Sequence, residues 1–274
     1  MNNQVYNYFL KHRELISQNL ELARKNDNTE AIHNLRLSLK RIKVLLQYIE
    51  YISNKVIKAE DELKNIKGLF KKAGRLRDIQ VQIQLLQTYE QGLKVKFRKY
   101  EKFLTKLESK GQKKYINAYT AFDKNYLDKL EFQIKNILKD IADEIIGEKA
   151  TLLMKDKLHI IRNIYYKEKN EKSFHKIRTQ FKDIIYLNNM VQGKLPVDEV
   201  LKINDERLGE LGNLLGTWHD KLTALTYLET FNERSGEFNN NEKSQYDILA
   251  GKILEDKNRE FAHLDHIFQN EIRI

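Results

Sequence analysis

Four basic side chains carry the chemical potential of this chain: His33, Arg36, Lys40 and Lys43, spaced at +3, +7 and +10 within the stretch Ala31 to Leu46. On a helix, at about 100° per residue, they share a strip roughly 80° wide. Beside it run Ile32, Leu35, Leu39, Ile42 and Leu46, whose three- and four-residue steps mark an apolar face. A solvated helix normally intersperses Glu among its cations, and like charges at i,i+4 repel by a few tenths of a kcal/mol. This strip contains no acid, so something anionic is expected to lie against it. Phosphate suits the donors. Arg36 offers a planar fork of N–H groups, the lysines act as point charges, and imidazole donates one N–H when neutral and two when charged.

The pattern His-x-x-Arg-x-x-x-Lys recurs 142 residues later as His175, Arg178 and Lys182. Its apolar partners keep register, with Ile177, Phe181, Ile184 and Leu187 where the first copy has Leu35, Leu39, Ile42 and Leu45. A second segment repeats at the same offset. The stretch ending in Asp78 maps onto one ending in Asp220, Gly74 onto Gly216 and Leu69 onto Leu211. The chain reads as two copies of one helical unit, internal repetition being the first thing to settle about a fold. The first half spans about 1–126 and the second about 127–274. With no low-complexity linker between them, they form one compact domain over 1–274.

The ordered set H-x-L-R-x-x-x-K-R-I-K and L-x-x-x-x-G-x-x-R-D-x-x-V resembles the first half of the CHAD family, the conserved-histidine α-helical domain. FHKIRTQFKDIIY with LLGTWHD resembles its second half. The resemblance implies two pseudo-symmetric bundles of long antiparallel helices whose basic surfaces meet, and binding of inorganic polyphosphate. It also brings Arg41 into the candidate set. This chain departs from the family pattern at Asp183 (opposite Arg41) and Ile185 (opposite Lys43), so the second half is expected to hold an anion less strongly. His219 stands where the family often has Asn, and Gln80 where Asp is common.

Behind these motifs lies an all-α chain. One proline and 11 glycines in 274 residues leave little turn chemistry for strands, and apolar spacing is helical nearly throughout. A chain this long buries roughly 75% of its unfolded surface without staples. The absence of cysteine excludes disulfides, thiolate nucleophiles and Cys-based zinc sites. A net charge of +10 favours an anionic partner. The N-terminus lacks the pattern of a secretion signal, and no run approaches the ~20 apolar residues of a membrane span. A cytoplasmic protein, associated with polyphosphate granules, is expected.

The first helix runs from Val5 to Arg24 with Val5, Phe9, Ile16, Leu20 and Ala23 inward, and Asp27 or Asn28 caps the second. A third covers Lys55 to Lys72, with Gly74 as its C′ residue, and Asp78 is the N-cap of a fourth. Breaks are predicted at Lys110–Gly111 and Gly147, a loop at Gly193 to Pro196, a helix from Asp198 to Leu215, another from Asp220 to about Ser235, and a last one opening at Asn239 to Asn241. Phe97, Tyr100, Phe103, Tyr115, Tyr119, Phe122 and Tyr126 interleave with lysines. That pattern allows base stacking, but helical spacing favours core positions, as for Trp218.

The polyphosphate-binding set is therefore His33, Arg36, Lys40, Arg41, Lys43, Arg75 and Arg77 in the first half, and His175, Arg178, Lys182 and His219 in the second. Asp78 and Asp220 either orient the Arg or His of their own half or simply cap helices. Neighbouring cations discourage histidine protonation and a bound polyanion encourages it, so binding is expected to tighten from pH about 8 to 6. The competing reading is a general polyanion or nucleic-acid backbone binder. Glu30-x-x-His33 and Glu260-x-x-His263 match di-iron bundle spacing, but Lys172 replaces Glu30 in the repeat, so neither metal nor cofactor is expected. No Gly-rich phosphate loop accompanies the motif and no carboxylates suited to Mg²⁺ stand beside it, so the reading is non-enzymatic. A stripe that pairs internally with acidic helices is the third alternative.

Overall fold

A computed structural model describes residues 2–24, 28–168, 170–192, 195–196, 203–234 and 240–270, and these form helices without strands. In chain order they are α1 (Asn2–Arg24), α2 (Thr29–Ile52), α3 (Ala59–Leu93), α4 (Arg98–Thr120), α5 (Tyr126–Lys139), α6 (Asp143–Lys167), α7 (Glu171–Met190), α8 (Asp205–Arg234) and α9 (Asn240–Asn270). The predicted Asp27 cap, the first two residues of the Gly193–Pro196 loop, the start of the Asp198 helix and the turns near Ser235 and Asn239 lie outside the described residues.

The two motif helices begin on side-chain caps. The Asn28 Oδ1 accepts from the Ala31 N–H at 2.8 Å, with Glu30 in the first turn. Asn170 and Ser173 close a reciprocal capping box at the start of α7, which satisfies N–H groups that a helix start leaves unpaired. Each helix then turns its apolar stripe inward: Ile32, Leu35, Leu39, Ile42 and Leu46 on α2, and Phe174, Ile177, Phe181, Ile184 and Leu187 on α7, are all buried. That orientation leaves the cationic strips on the flank. Consecutive helices pack as neighbours from α1 through α4 and from α6 through α9, and α2 touches α7 while α3 touches α8.

The main core joins α1, α2, α3 and Tyr115 of α4 to α5, α6, α7, α8 and the end of α9, where Leu264, Ile267 and Phe268 are buried. A second core sits apart, built from Leu86 and Tyr89 of α3, Phe97, Tyr100 and Leu104 at the start of α4, Leu228 and Phe231 of α8, and Tyr246 and Leu249 of α9. Of the lysine-interleaved aromatics, Phe97, Tyr100, Tyr115, Phe122 and Tyr126 are buried and Phe103 and Tyr119 pack on the cores, which answers the stacking alternative. Trp218 is fully buried.

Several expected helix ends are absent. The 35 residues of α3 run unbroken through Gly74 and Asp78, and α8 runs through Gly216 and Asp220, so neither Asp is a helix cap. A mid-helix glycine costs about 1 kcal/mol relative to alanine, and burial of Leu69, Ala73, Leu76 and Ile79 around Gly74 outweighs that. Gly111 lies inside α4, where a β-carbon would meet Leu76 Cδ1 at 3.3 Å. It is a point of close helix approach. The Gly147 break is displaced to 140–142, ahead of Asp143 and Glu144 in the first turn of α6. No described helix is long and apolar enough to cross a membrane.

Candidate anion-binding site

A cavity of about 230 Å³ opens where α2, α3, α7 and α8 converge. His33, Arg36 and Lys40 enter from α2, Arg77 and Asp78 from α3, Arg178 from α7, and His219 and Asp220 from α8. Residues from both sequence motifs thus share one wall. Leu37, Val81, Gln82 and Thr223 complete the lining. Gln82 and Thr223 were not read from the sequence, although each lies one helical turn beyond a candidate, Asp78 and His219.

The Arg36 guanidinium donates through Nη1 to Asp78 Oδ1 at 2.5 Å and to the Gly74 carbonyl at 3.4 Å. Asp78 is thus a charge partner of Arg36. Asp220 differs. Its backbone carbonyl accepts from Gln82 Nε2 at 3.4 Å, tying α8 to α3. Its side chain lies in the field of Arg178, Arg36 and Arg77, with burial as the stronger influence raising its pKa. The Nε donors of Arg36 and Arg178 are buried and have no hydrogen-bond partner. An unmet buried donor of this kind costs about 1–3 kcal/mol, more when charged. His175 and His219 stand ring to ring, their Nδ1 atoms 3.4 Å apart.

The electrostatics are those of crowded cations withdrawn from water. Burial, then Arg36 and Arg178, push the Lys40 amine down to about 7 against the pull of Asp78. Burial, then Arg178 and His175, push His219 down to about 3. Burial followed by Arg77, Lys40 and Arg36 lowers His33. Burial is also the first cause lowering His175, Arg77, Arg178 and Lys182. Desolvation and like charge both disfavour the charged forms, and an anion in the cavity relieves both.

Not every candidate reaches this cavity. Lys182 and His175 flank it, the first beside Gly212 and the second behind His219. Lys43 lines a separate hollow further along the α2–α3 groove. Arg75 is exposed outside the lining. Arg41 points the other way, its guanidinium carbon 5.8 Å from the Tyr186 ring centre. There it acts on His12, which is 1% exposed and edge-on to Tyr8. His12, which carried no sequence signal, is a buried histidine on the apolar face of α1. Asp183 pairs with Lys157 at 2.8 Å, between α6 and α7.

Among the described residues no three His, Asp or Glu side chains converge to hold a metal. Glu260 is engaged by Lys221 at 2.7 Å.

The family profile of the CHAD domain matches residues 7–229, and the chain belongs to that family. Among solved structures it is similar to the CHAD domain from the plant Ricinus communis at 13% identity, with a TM-score of 0.72 over 100% of this chain and 93% of that one. It is also similar to PptA from Streptomyces chartreusis at 12% identity, with a TM-score of 0.69 over 98% of this chain and 99% of that one. At these identities the likeness is one of fold. No curated protein matches the chain in sequence.

Proposed function

We propose that this protein binds inorganic polyphosphate, without turning it over, in the cavity between the two motif helices. The observation that carries the reading is the convergence of Arg36, Lys40, Arg77 and Arg178, from both halves of the chain, on one cavity. A chain of linked phosphates offers acceptor oxygens to the guanidinium groups of Arg36 and Arg178 and neutralises Lys40 and Arg77 alongside. The lining contains no Phe, Tyr or Trp, so bases find no broad stacking platform beyond the imidazoles of His33 and His219, which favours bare phosphate over nucleic acid. Membership in the CHAD family points to the same ligand. The two carboxylates of the cavity sit among guanidinium groups, Asp78 against Arg36 and Asp220 near Arg178, a poor setting for an Mg²⁺ ion.

The test is equilibrium binding of labelled polyphosphate, with single-stranded DNA and RNA of matched charge as competitors, across a salt series. Wild type is expected to prefer polyphosphate clearly, and both Arg36→Glu with Lys40→Glu and Arg178→Glu with Lys182→Glu are expected to abolish binding. Equal competition by nucleic acid makes the protein a general polyanion binder. Binding that survives both double variants removes the cavity from the account. Release of orthophosphate on incubation with Mg²⁺ contradicts the non-enzymatic reading.

A further inference from the structure

Beyond the central cavity the two halves present different surfaces. Past Arg36 and Lys40 the α2–α3 groove opens into a hollow of about 480 Å³, where Lys43, Lys64 and Lys67 stand over an apolar floor that includes Leu39, Ile66 and Phe70. Lys43 is seven residues beyond Arg36, about 10 Å along the helix. On the facing helix Lys67 and Lys71 precede Asp78 by eleven and seven residues, spacings that keep them on the strip of α3 that carries Asp78. Lys64 is held by Asp61 at 2.7 Å. Among the described residues Lys43, Lys67 and Lys71 have no acidic partner.

The corresponding positions of the second half lack this charge. At the offset of 142 residues, Lys43, Lys64, Lys67 and Lys71 correspond to Ile185, Glu206, Gly209 and Asn213. The groove there is also filled. Ile185 Cδ1 lies 2.5 Å from where a β-carbon on Gly212 would stand, and Lys182 Nζ lies 3.3 Å from the same point. The isoleucine therefore rests directly on the backbone of α8. Further along, Arg207 is engaged by Glu210 at 2.8 Å.

We propose that a long polyanion leaves the central cavity in one direction only, along the α2–α3 groove, with Lys43, Lys67 and Lys71 as an outer phosphate subsite. This rests on the polyphosphate reading of the cavity. Exposed lysines suit the task because a point charge makes no demand on the orientation of each phosphate. Glu50 and Glu60, which line the far end of the hollow, repel the chain outward to solvent. A short chain occupies the cavity alone, and a longer one gains the three lysines.

The experiment compares tripolyphosphate with long-chain polyphosphate on the full chain, for wild type and for Lys43→Gln with Lys67→Gln and Lys71→Gln. Each phosphate contact on a single-stranded polyanion adds about 0.7 to the logarithmic salt slope. The variant is expected to lose about 2 from the slope for the long polymer, and roughly tenfold or more in affinity near 0.1 M salt. Its tripolyphosphate affinity should stay within about twofold of wild type, and its melting temperature should be unchanged. Equal losses for both ligands, or no loss for the polymer, overturn the outer subsite while leaving the cavity intact. If wild type binds neither ligand, the cavity reading itself fails and the subsite with it.

Discussion

Lys40 makes the proposed site sensitive to pH in a calculable way. In the free protein its amine is pushed down to about 7 by burial and by Arg36 and Arg178, so it is about nine-tenths charged at pH 6 and about one-tenth charged at pH 8. A polyanion in contact restores an ordinary lysine pKa near 10.5, and binding above pH 7 then takes up a proton. Linkage converts this to affinity: about twofold weaker from pH 6 to 7, about fivefold from 7 to 8, and about ninefold from 8 to 9. The assay is labelled polyphosphate binding at constant ionic strength, because salt screens every phosphate contact. In Lys40→Arg the guanidinium stays charged throughout, and the profile above pH 7 should flatten. The sequence alone assigned the pH dependence to histidine, yet His219, held at about 3, is neutral over this whole range in the free protein. A histidine contribution from His33 or His175 would appear below pH about 6.5. A flat wild-type profile from 6 to 9 refutes the argument, and so does a Lys40→Arg profile as steep as wild type.

The two motif-flanking glycines should respond oppositely to alanine. At Gly74 a β-carbon meets Arg36 Nε at an ordinary 3.5 Å, so Gly74→Ala should raise stability by about 0.5–1 kcal/mol in urea denaturation. At Gly212 the same atom lands on Ile185; Gly212→Ala should show no gain or a loss, and adding Ile185→Val, which removes Cδ1, should recover it. Equal gains at both sites would disprove the close contact. His12, buried and held at about 3, stays neutral when folded, while the unfolded chain protonates it below pH about 6.5, so stability is lost as pH falls through that value. His12→Phe should therefore gain on wild type by about 2 kcal/mol between pH 7.5 and 5, read from chemical denaturation at both pH values. A constant gap between the two proteins would place the acid sensitivity elsewhere.

What the sequence disclosed best was periodic. The buried stripes of α1, α2 and α7 and the core positions of the lysine-interleaved aromatics follow from three- and four-residue spacing, because burial of a helix face is a property of the helix itself. Helix ends were misread where glycine or aspartate served tertiary contact. The Gly74 carbonyl accepts from Arg36, Gly111 admits Leu76 and Ile79, and Asp78 pairs with Arg36. Local propensity of about 1 kcal/mol could not show that burial on both sides would carry α3 straight through. Among the candidate cations, Lys43 has the right angle on α2 but stands too far along it to reach the cavity. Arg41 came from the family pattern, and its position on the helix sends it towards Tyr186. The approach of Arg178 to Lys40 and Arg36 depends on how two distant segments dock, which no local pattern encodes.

The unbroken α3 has a consequence for how this sequence can vary. Its 35 residues make a rod about 50 Å long, with Asp78 at the cavity and Leu86 and Tyr89 in the second core. Between those two points there is no loop to absorb a change of length. One inserted residue would turn everything beyond it by about 100°, so either the carboxylate would leave Arg36 or the tyrosine would leave its core. Drift by substitution is open to this helix while drift by insertion is closed, and the distance between the anion site and the second core behaves as a fixed ruler.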